Sequence, residues 1–265
     1  MSGTSRMPGS RFEDLGAGYA ASPSHAGGLT LAVLLERAAP RPSDLACDVG
    51  AGTGHTALAL APRLRRVVGV DPAAGMLAQG RRMAAERGIA NAAWVRAEAE
   101  RLPFQDRTFD LVVSRTAAHH FADLDQACRE WARVLRPGGR CVVSDLAGHE
   151  DPALHAFVHG IEVLHDPSHV GARTGTEWRR MLESAGLEVV SVEGGLVETA
   201  DGMGLKEWCA RARSGAQAEA EIGRRLRGAP SAWRELLGVR EAGDDLRFHI
   251  LKLVVTARAR PSGSG

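Results

Sequence analysis

The segment DVGAGTG at residues 48–54 combines one carboxylate, Asp48, with three glycines at alternate positions. It follows a short apolar run typical of a strand and precedes a stretch with helical spacing. Glycine lets the chain turn sharply at such a junction and lets the backbone approach a ligand closely. The segment therefore predicts a loop, between a strand and a helix, that holds a nucleotide-like cofactor.

Two classes of cofactor fit a glycine loop of this kind. Dinucleotide sites use the pattern G-x-G-x-x-G with an acid about 20 residues later, and Gly50 and Gly52 match its first two glycines. His55 stands where the third glycine is needed for close packing of the helix. The carboxylate of Asp48 instead suits a ligand with a positive end, such as the ammonium and sulfonium groups of S-adenosylmethionine. The loop favours that ligand, and a nicotinamide or flavin dinucleotide is the alternative.

Histidines are the second group of residues with the chemistry of a functional site, because imidazole exchanges protons near neutral pH. The chain has 10 of them. His119 and His120 follow a predicted strand, at the edge of the sheet where doubly wound folds bind ligands. His169 lies in the loop DPSHVG. We predict that a general base is among these three, and the alternative for each is a structural histidine.

The helix predicted at residues 152–165 carries further polar side chains. At about 100° per residue its large apolar residues gather on one face. His155, His159, Glu162 and Asp166 form a stripe on the other side, which predicts a solvated surface. Two histidines four residues apart could chelate a metal, but the sequence offers no third ligand near them, so we predict no metal site.

The elements that must position these residues alternate along the chain. Short apolar runs predict strands at residues 45–49, 67–70, 93–96, 109–114, 140–144 and 187–192. Helical spacing predicts helices at residues 28–39, from 55, and at 73–87, 124–135, 152–165 and 176–185. This alternation is typical of an α/β fold with a doubly wound, mostly parallel sheet covered on both faces.

The carboxyl-terminal third has a different pattern. Residues 194–245 contain helical stretches and no strand-like run, whereas residues 247–257 read RFHILKLVVTA and predict one strand. We therefore predict a helical cap inserted before the last strand. Its arginines would normally form a solvated face, but they would also suit an acidic acceptor or the surface of a membrane. The last residues, PSGSG, predict a disordered tail.

Composition excludes several classes of protein. Lys and Arg number 33 against 32 Asp and Glu, without a basic block, which argues against a nucleic-acid partner. The four cysteines are scattered without a CxxC pair, so neither a zinc site nor a disulfide framework is indicated. We expect a cytoplasmic protein, because no signal peptide or transmembrane segment is visible.

Five motifs together are more specific than the glycine loop alone: DVGAGTGHTAL, VVGVDPAAGML, AEAERLPFQDRTFDLVVSR, AAHHF and ARVLRPGGRCVVSDL. In these motifs the chain resembles the class I S-adenosylmethionine-dependent methyltransferases, in particular the ubiquinone and menaquinone C-methyltransferase-like group. The resemblance is strong over residues 19–147 and looser up to the last strand. It implies a Rossmann-like sheet of seven strands, the last of them antiparallel.

The resemblance also implies roles for single residues. Asp71 would accept hydrogen bonds from the ribose hydroxyls, Met76 would cover one face of the adenine, and Glu98, where the family more often has Asp, would read the adenine edge with Ala99. Tyr19 would fold over the methionyl end. The full set implied for the cofactor is Tyr19, Asp48, Gly50, Ala51, Gly52, Gly54, Asp71, Pro72, Met76, Glu98, Ala99 and Arg115.

The implied domain organisation follows from these assignments. Residues 1–27 would close over the cofactor, residues 28–148 would bind it, and residues 149–175 would form a lid helix and loop. Residues 176–258 would complete the sheet and carry the cap at 194–245, before a tail at 259–265.

The implied activity is methyl transfer to a small-molecule acceptor, with carbon methylation of a quinone-like or phenolic ring favoured over oxygen or nitrogen methylation. The alternatives are an NAD(P)-dependent oxidoreductase and a protein of the same fold that uses its pocket for a cyclisation. Both a monomer and a homodimer are compatible with the sequence, as is peripheral contact with a membrane.

Overall fold

The computed structural model describes residue 12 and residues 27–261. Its strands are β1 (Leu45–Val49), β2 (Arg66–Asp71), β3 (Ala92–Arg96), β4 (Phe109–Arg115), β5 (Leu135–Leu146), β6 (Leu187–Leu196), β7 (Met203–Gly204), β8 (Arg240–Ala242), β9 (Asp245–Phe248) and β10 (Lys252–Ala259). Its α-helices are α1 (Leu29–Ala38), α2 (His55–Leu60), α3 (Ala74–Glu86), α4 (Leu124–Val134), α5 (Pro152–His165), α6 (Gly175–Ser184), α7 (Leu205–Ala212), α8 (Ala216–Gly228) and α9 (Ser231–Leu236).

Seven of the described strands form one sheet in the order β3-β2-β1-β4-β5-β10-β6. Neighbours among the first five strands are parallel, whereas β10 runs antiparallel to both β5 and β6. The predicted Rossmann-like α/β sheet with an antiparallel last strand is therefore confirmed. The strand order reverses between β1 and β4, and the loops that follow these two strands flank the crevice where such folds bind ligands.

Helices cover both faces of this sheet. On one face α4 and α6 bury Trp131 and Trp178, whose rings stack with centroids 6.3 Å apart. On the other face Leu34 of α1 and Leu60 of α2 are fully buried against β1 and β2. Strands covered on both sides must be apolar along their whole length, which is why they appear in the sequence as short continuous apolar runs.

The fifth strand begins earlier than predicted. Phe109 pairs with Leu135 and Leu111 pairs with Arg140, so the residues between the two partners on β5 form an irregularity in the ladder. Helix α4 ends at Val134, and the strand starts directly after it rather than after RPGG. The proline and glycines of RPGG indicate an irregularity in the sequence, but they do not show that the strand pairs with its neighbour on both sides of it.

The cap contains strands that the sequence pattern did not predict. β7, β9 and β8 form a separate antiparallel sheet, so the prediction of a purely helical segment at residues 194–245 is wrong. Ala242 pairs with Asp245 across a two-residue turn whose first residue is Gly243, with φ 65°. These strands have only two to four residues, which is too short for alternation to emerge from the sequence.

The predicted single strand at residues 247–257 is two strands in different sheets. β9 belongs to the cap sheet and β10 to the main sheet. Phe248 is buried in the cap core together with Trp208, whereas Val254 and Val255 are buried in the main sheet. Both halves are apolar because each is buried, so hydrophobicity alone did not separate them.

Few of the predicted boundaries near the two ends of the chain can be compared with the structure. The segment at residues 1–27 lies outside the described residues except for residues 12 and 27, and Tyr19 is among those outside. At the other end β10 includes Ala259, the first residue of the predicted tail, and residues 262–265 lie outside the described part. Within the described ranges no helix is long and apolar enough to cross a bilayer.

Candidate functional site

A cavity of about 540 Å³ opens at the carboxyl edge of the sheet. Its walls come from the loops after β1, β2, β3 and β4, from α5 and from the cap. Most of the residues predicted for the site lie on these walls: Gly50, Ala51, Gly52, Asp71, Pro72, Met76, Glu98, Ala99, Arg115, His119, His120 and His169. The topology therefore brings together residues that are up to about a hundred positions apart in the sequence.

The glycine loop is fastened to the neighbouring strand and leaves its face open. The amides of Gly50 and Ala51 both donate to the carbonyl of Val70, at 2.9 Å. Gly52 has φ 54°, and no atom of the described residues lies within 4 Å of where its Cβ would be. A side chain at this position would project into open space on the cavity wall. The loop thus has the close-approach surface that an S-adenosylmethionine molecule requires.

Asp71 joins the glycine loop to the next helix. One carboxylate oxygen accepts the amide of Gly52 at 2.8 Å, and the other accepts the amide of Ala73 at 2.9 Å. A carboxylate can accept several donors at once, so this position also suits ribose hydroxyls. Met76 is buried beside it and packs against Ala73 and Phe12, which gives the cavity an apolar wall suited to adenine.

Two residues predicted to touch the cofactor are not on the cavity wall. Asp48 is 1% exposed, and its Oδ2 accepts the amide of Ala57 at 3.0 Å, so it holds α2 beneath the loop. Burial raises the pKa of Asp48 to about 7, against the opposing effect of Arg115. Direct contact of Asp48 with the methionyl end is not supported by this geometry, and its cofactor role stays a prediction.

Gly54 is the second described residue that was predicted to touch the cofactor but does not line the cavity. It has φ 85°, and a Cβ there would overlap the ring of Trp94. Gly69 and Gly80 lie against the same ring. The requirement for glycine at position 54 thus comes from packing beneath the loop, whereas the sequence pattern suggested contact with the cofactor.

Replacing Gly54 with alanine is expected to destabilise the protein by about 2–4 kcal/mol, from a left-handed backbone and from overpacking against Trp94. Gly88 is the matched control, because it has φ 64° and, in the part of the chain that the structure describes, no atom within 4 Å of its Cβ position. Gly88→Ala should lower the free energy of unfolding only by the cost of the left-handed backbone, about 1 kcal/mol. Urea denaturation of both variants measures the difference, and equal losses would contradict the packing role of Gly54.

The two adjacent histidines differ in their partners. His119 Nδ1 lies 2.5 Å from Asp145 Oδ1. Asp145 also accepts the backbone amides of Ala117, Ala118 and Leu146, at 3.2, 2.6 and 2.6 Å. Burial alone would raise the pKa of Asp145, but His119 and these hydrogen bonds lower it to about 2. The carboxylate is therefore charged and rigidly held against the His119 ring.

His119 has the geometry of a general base. Burial opposes its protonation, but Asp145 outweighs that effect and raises the pKa of His119 above its ordinary value of 6.5. The bond at Nδ1 leaves Nε2 as the ring nitrogen that could receive a proton at the cavity wall, as in a His-Asp pair of a hydrolase. Asp145 lies in the motif ARVLRPGGRCVVSDL, but it was not predicted as a residue of the site.

Within the described part of the chain neither His120 nor His169 has a hydrogen bond to a carboxylate, and His120 Nε2 lies 4.0 Å from Asp166 Oδ2. His120 Nδ1 lies 3.1 Å from the carbonyl of Ser168, and burial together with His119 lowers its pKa to about 4. Burial and the neighbouring imidazoles lower the pKa of His169 to about 3. Both rings are therefore neutral at physiological pH, and the pair of His119 with Asp145 is the stronger arrangement for proton removal.

The polar stripe of α5 faces inward at its carboxyl end. Glu162 and Asp166 are buried and line the cavity, so the prediction of a solvated surface is wrong for them. The apolar face of α5 packs on the cap, through Leu154 and Ile161, and the cavity occupies the space beside it. Burial raises the pKa of Glu162 to about 7.

A buried ion pair connects the last strand to the cavity. Lys252 Nζ lies 2.7 Å from Glu198 Oε1 and donates to Thr116 Oγ1 at 2.7 Å. Glu198 also accepts the hydroxyl of Thr30, at 2.6 Å. Thr116 has φ 53°, an unusual conformation for a residue with a branched side chain, at the end of β4. Neither Glu198 nor Lys252 was predicted, because their positions carry no motif.

Arg115 and the cap arginines have mostly structural partners. The Arg115 guanidinium is buried, donates to Thr56 Oγ1 at 3.1 Å and lies 3.9 Å from Glu198. Arg224 and Arg227 form exposed ion pairs on the cap surface. Arg211 of α7 reaches the cavity wall. Among the described residues no cluster of three or more histidine, cysteine or acidic side chains has the geometry of a metal site.

Comparison with known proteins finds a matching family model and several relatives of this chain. A family model described as a methyltransferase domain matches residues 47–143. YcgJ of Bacillus subtilis, an uncharacterised methyltransferase, is 40% identical over 157 residues, which are 59% of this chain and 62% of YcgJ. The crystal structure of YcgJ superposes with a TM-score of 0.80 and 31% identity, over 88% of this chain and 99% of that one.

Two further relatives support the same assignment. YodH of Bacillus subtilis, also an uncharacterised methyltransferase, is 31% identical over 186 residues, 68% of this chain and 75% of YodH. The ubiquinone/menaquinone biosynthesis C-methyltransferase UbiE of Xanthomonas campestris is 34% identical over 151 residues, 54% of this chain and 59% of UbiE. The sequence alignments thus span less than two thirds of YcgJ and of UbiE. The resemblance found in the motifs is confirmed.

Proposed function

We propose that this chain, which belongs to the class I S-adenosylmethionine-dependent methyltransferases, methylates a carbon atom of a phenolic or quinol-type ring. In the proposed reaction His119 is the general base. Within that family S-adenosylmethionine supplies an electrophilic methyl group. We propose the acceptor, the methylated atom and the roles of the residues.

One observation carries the proposal, the bond between His119 and the charged Asp145 at the cavity wall. A ring carbon becomes nucleophilic when the neighbouring hydroxyl loses its proton, so carbon methylation benefits from a base beside the methyl donor. Asp145 fixes the tautomer of His119 and stabilises its protonated form, as the third member of a catalytic triad does.

The proposed reaction balances as follows. His119 Nε2 takes the hydroxyl proton, and an electron pair of the ring forms the new bond to the methyl carbon. The sulfur–methyl bond breaks, and S-adenosylhomocysteine leaves as a neutral thioether. The methylated carbon then gives up its own hydrogen as a proton, which passes through water to the oxygen and restores the aromatic hydroxyl, while His119 keeps the first proton. One proton is released in total.

The cap wall of the cavity supports an aromatic acceptor. The rings of His165 and Trp208 stack with centroids 3.6 Å apart and an interplanar angle of 7°. Met203 and Ile250 extend this wall. A flat, largely apolar surface of this kind favours a ring over an extended polar chain. UbiE, a relative of this chain, is named for the methylation of carbon in quinone biosynthesis, which is consistent with such an acceptor.

Binding of the methyl donor should depend on Asp71. Asp71→Ala is expected to weaken the affinity for S-adenosylhomocysteine about 10- to 100-fold, because hydrogen bonds to a charged group are worth about 1.5–3 kcal/mol. Calorimetry measures the effect. Glu100→Gln, another acidic position on the cavity wall, is the control and should change the affinity less than about threefold. An Asp71 variant that binds like the wild type would contradict the ribose role.

The activity is tested by incubating the protein with methyl-labelled S-adenosylmethionine and a panel of phenols, naphthoquinols and enolisable ketones, followed by mass spectrometry of the products. We expect label on a ring carbon. Label on oxygen only would overturn the carbon methylation, and binding of NADH without binding of S-adenosylmethionine would overturn the whole assignment.

The pH dependence provides a second test, because a base must be neutral to accept a proton. The pKa of His119 is raised above 6.5, so kcat/KM should fall about tenfold per pH unit below that raised pKa and level off above it. Glu162, with a pKa of about 7, titrates in the same range. Glu162→Gln should therefore keep the acid limb of the profile. Loss of that limb in this variant would transfer the role of the base to Glu162.

A further inference from the structure

A second, smaller cavity lies beside the main one, beneath α5. Its volume of about 30 Å³ is room for one or two water molecules. Its walls are rich in imidazoles: His149, His155, His159, His169 and His249. Glu162 and His169 line both cavities, so these two side chains form part of the partition between them.

His169 is an unusual member of this partition. It is 7% exposed, and within the described residues neither of its ring nitrogens has a hydrogen-bond partner. A buried polar group without a partner costs about 1–3 kcal/mol, which a purely structural role would not explain. Its backbone is firmly held, because its amide donates to the Asp166 carbonyl at 3.0 Å. The next amide, of Val170, donates to the carbonyl of His119 at 2.9 Å.

Three imidazoles form a row through this partition. The ring centroid of His119 lies 5.4 Å from that of His169, and His169 lies 5.2 Å from His159. Within the described residues no hydrogen bond joins these rings, so each transfer needs a bridging water molecule. His119 and His169 both line the main cavity, and His169 and His159 both line the small one, so each pair shares a space that can hold such a molecule. His119 and His169 are buried, whereas His159 is only half-buried. The row therefore leads from the ring bonded to Asp145 toward solvent.

We propose that His169 and His159 carry to solvent the proton that His119 removes from the acceptor. The inference rests on the proposed role of His119 as the base. His119 Nε2–H gives its proton, through a water molecule of the main cavity, to one nitrogen of His169. The other nitrogen of His169 passes a proton, through a water molecule of the small cavity, to His159, which releases it to solvent. No electrons are transferred, and each ring returns to its neutral state after a change of tautomer.

Two other routes start near His119. His120 lies closer to it, with centroids 4.1 Å apart, but its Nδ1 is bonded to the Ser168 carbonyl and its ring packs edge-on against Phe12. Its Nε2 faces Asp166 Oδ2 at 4.0 Å, and Asp166 is buried on the wall of the main cavity, so this route ends inside the protein. Glu162 lines both cavities and is the competing carrier. The lowered pKa of His169 keeps its ring from retaining the proton that passes through it.

Exchange of the His119 ring protons with water tests the row directly. The experiment uses the full chain with labelled histidine and bound S-adenosylhomocysteine, near pH 7, and times the exchange of the Nε2 proton by NMR. We expect His159→Gln to slow this exchange about tenfold or more and added imidazole to restore it, because the free base replaces the missing ring. His155→Gln, one turn earlier on α5, should exchange like the wild type.

Several outcomes would overturn the proposal. Unchanged exchange in His159→Gln would do so, as would equal slowing in His155→Gln or in Glu162→Gln. If His159→Gln slows the proton exchange and added imidazole does not restore it, His159 has only a structural role. The measurement needs no acceptor, so it is independent of whether His119 is the base in methyl transfer, which the activity of the His119 variant decides.

Discussion

Replacing His119 with glutamine is expected to lower kcat about 10²- to 10⁴-fold while the affinity for S-adenosylhomocysteine stays the same. The variant loses the group that accepts the acceptor's proton, but it leaves the glycine loop and Asp71 untouched. Asp145→Asn should fall in the same range, because an amide nitrogen cannot accept the Nδ1 proton and favours the wrong tautomer of the ring. Single-turnover assays with the acceptor found in the panel measure both effects.

His120→Gln is the matched control for this prediction. The two histidines are adjacent, both line the cavity, and their rings are in contact. They differ in partners, since His119 is bonded to a carboxylate and His120 to a backbone carbonyl. We expect His120→Gln to change kcat less than about tenfold. A larger loss in the His120 variant than in the His119 variant would reverse the assignment of the base.

The second large effect is on stability. Glu198→Ala is expected to lower the free energy of unfolding by about 3–5 kcal/mol, because it leaves the buried ammonium of Lys252 without its carboxylate. The same change removes the acceptor of the Thr30 hydroxyl. Helix α1 and strand β10 therefore lose a common attachment. Urea denaturation followed by circular dichroism measures the change.

Two further variants make this stability prediction specific. The exposed pair of Lys206 and Asp244 has a similar N–O distance, 2.6 Å against 2.7 Å, but lies at the surface, so Asp244→Ala should leave the free energy of unfolding close to that of the wild type. The double variant Glu198→Leu with Lys252→Met removes both buried charges and should recover most of the lost stability. Equal losses in Glu198→Ala and Asp244→Ala would show that burial of the pair has no energetic consequence.

The cofactor half of the site was largely predictable because it is local in sequence. The glycine loop, Asp71 and Met76 each follow a strand at a fixed distance, so a strand–loop–helix pattern gives both the residue types and their place. The same pattern did not distinguish the residues on the cavity wall from Asp48 and Gly54, which lie off it. Whether a loop residue points at a ligand or beneath the loop depends on Ala57 and Trp94, which lie elsewhere in the chain.

The acceptor half was less predictable, because its residues come together only through the fold. Asp145 reaches His119 because β5 lies beside β4, and 26 residues separate the two side chains. Glu162 has the helical position of a solvent-exposed residue, yet it is buried, since the cap packs against α5 and the cavity lies on its other side.

By itself the sequence determined the fold class, the cofactor and the set of histidines from which a base could come. Those properties depend on periodicity and on motifs that span a few residues, which are present before the chain folds. The tertiary structure decided which histidine has a charged partner, that Lys252 and Glu198 meet, and that His169 lies between two cavities. Each of these depends on a contact across strands or helices far apart in the chain, and such a contact has no signature in either segment alone.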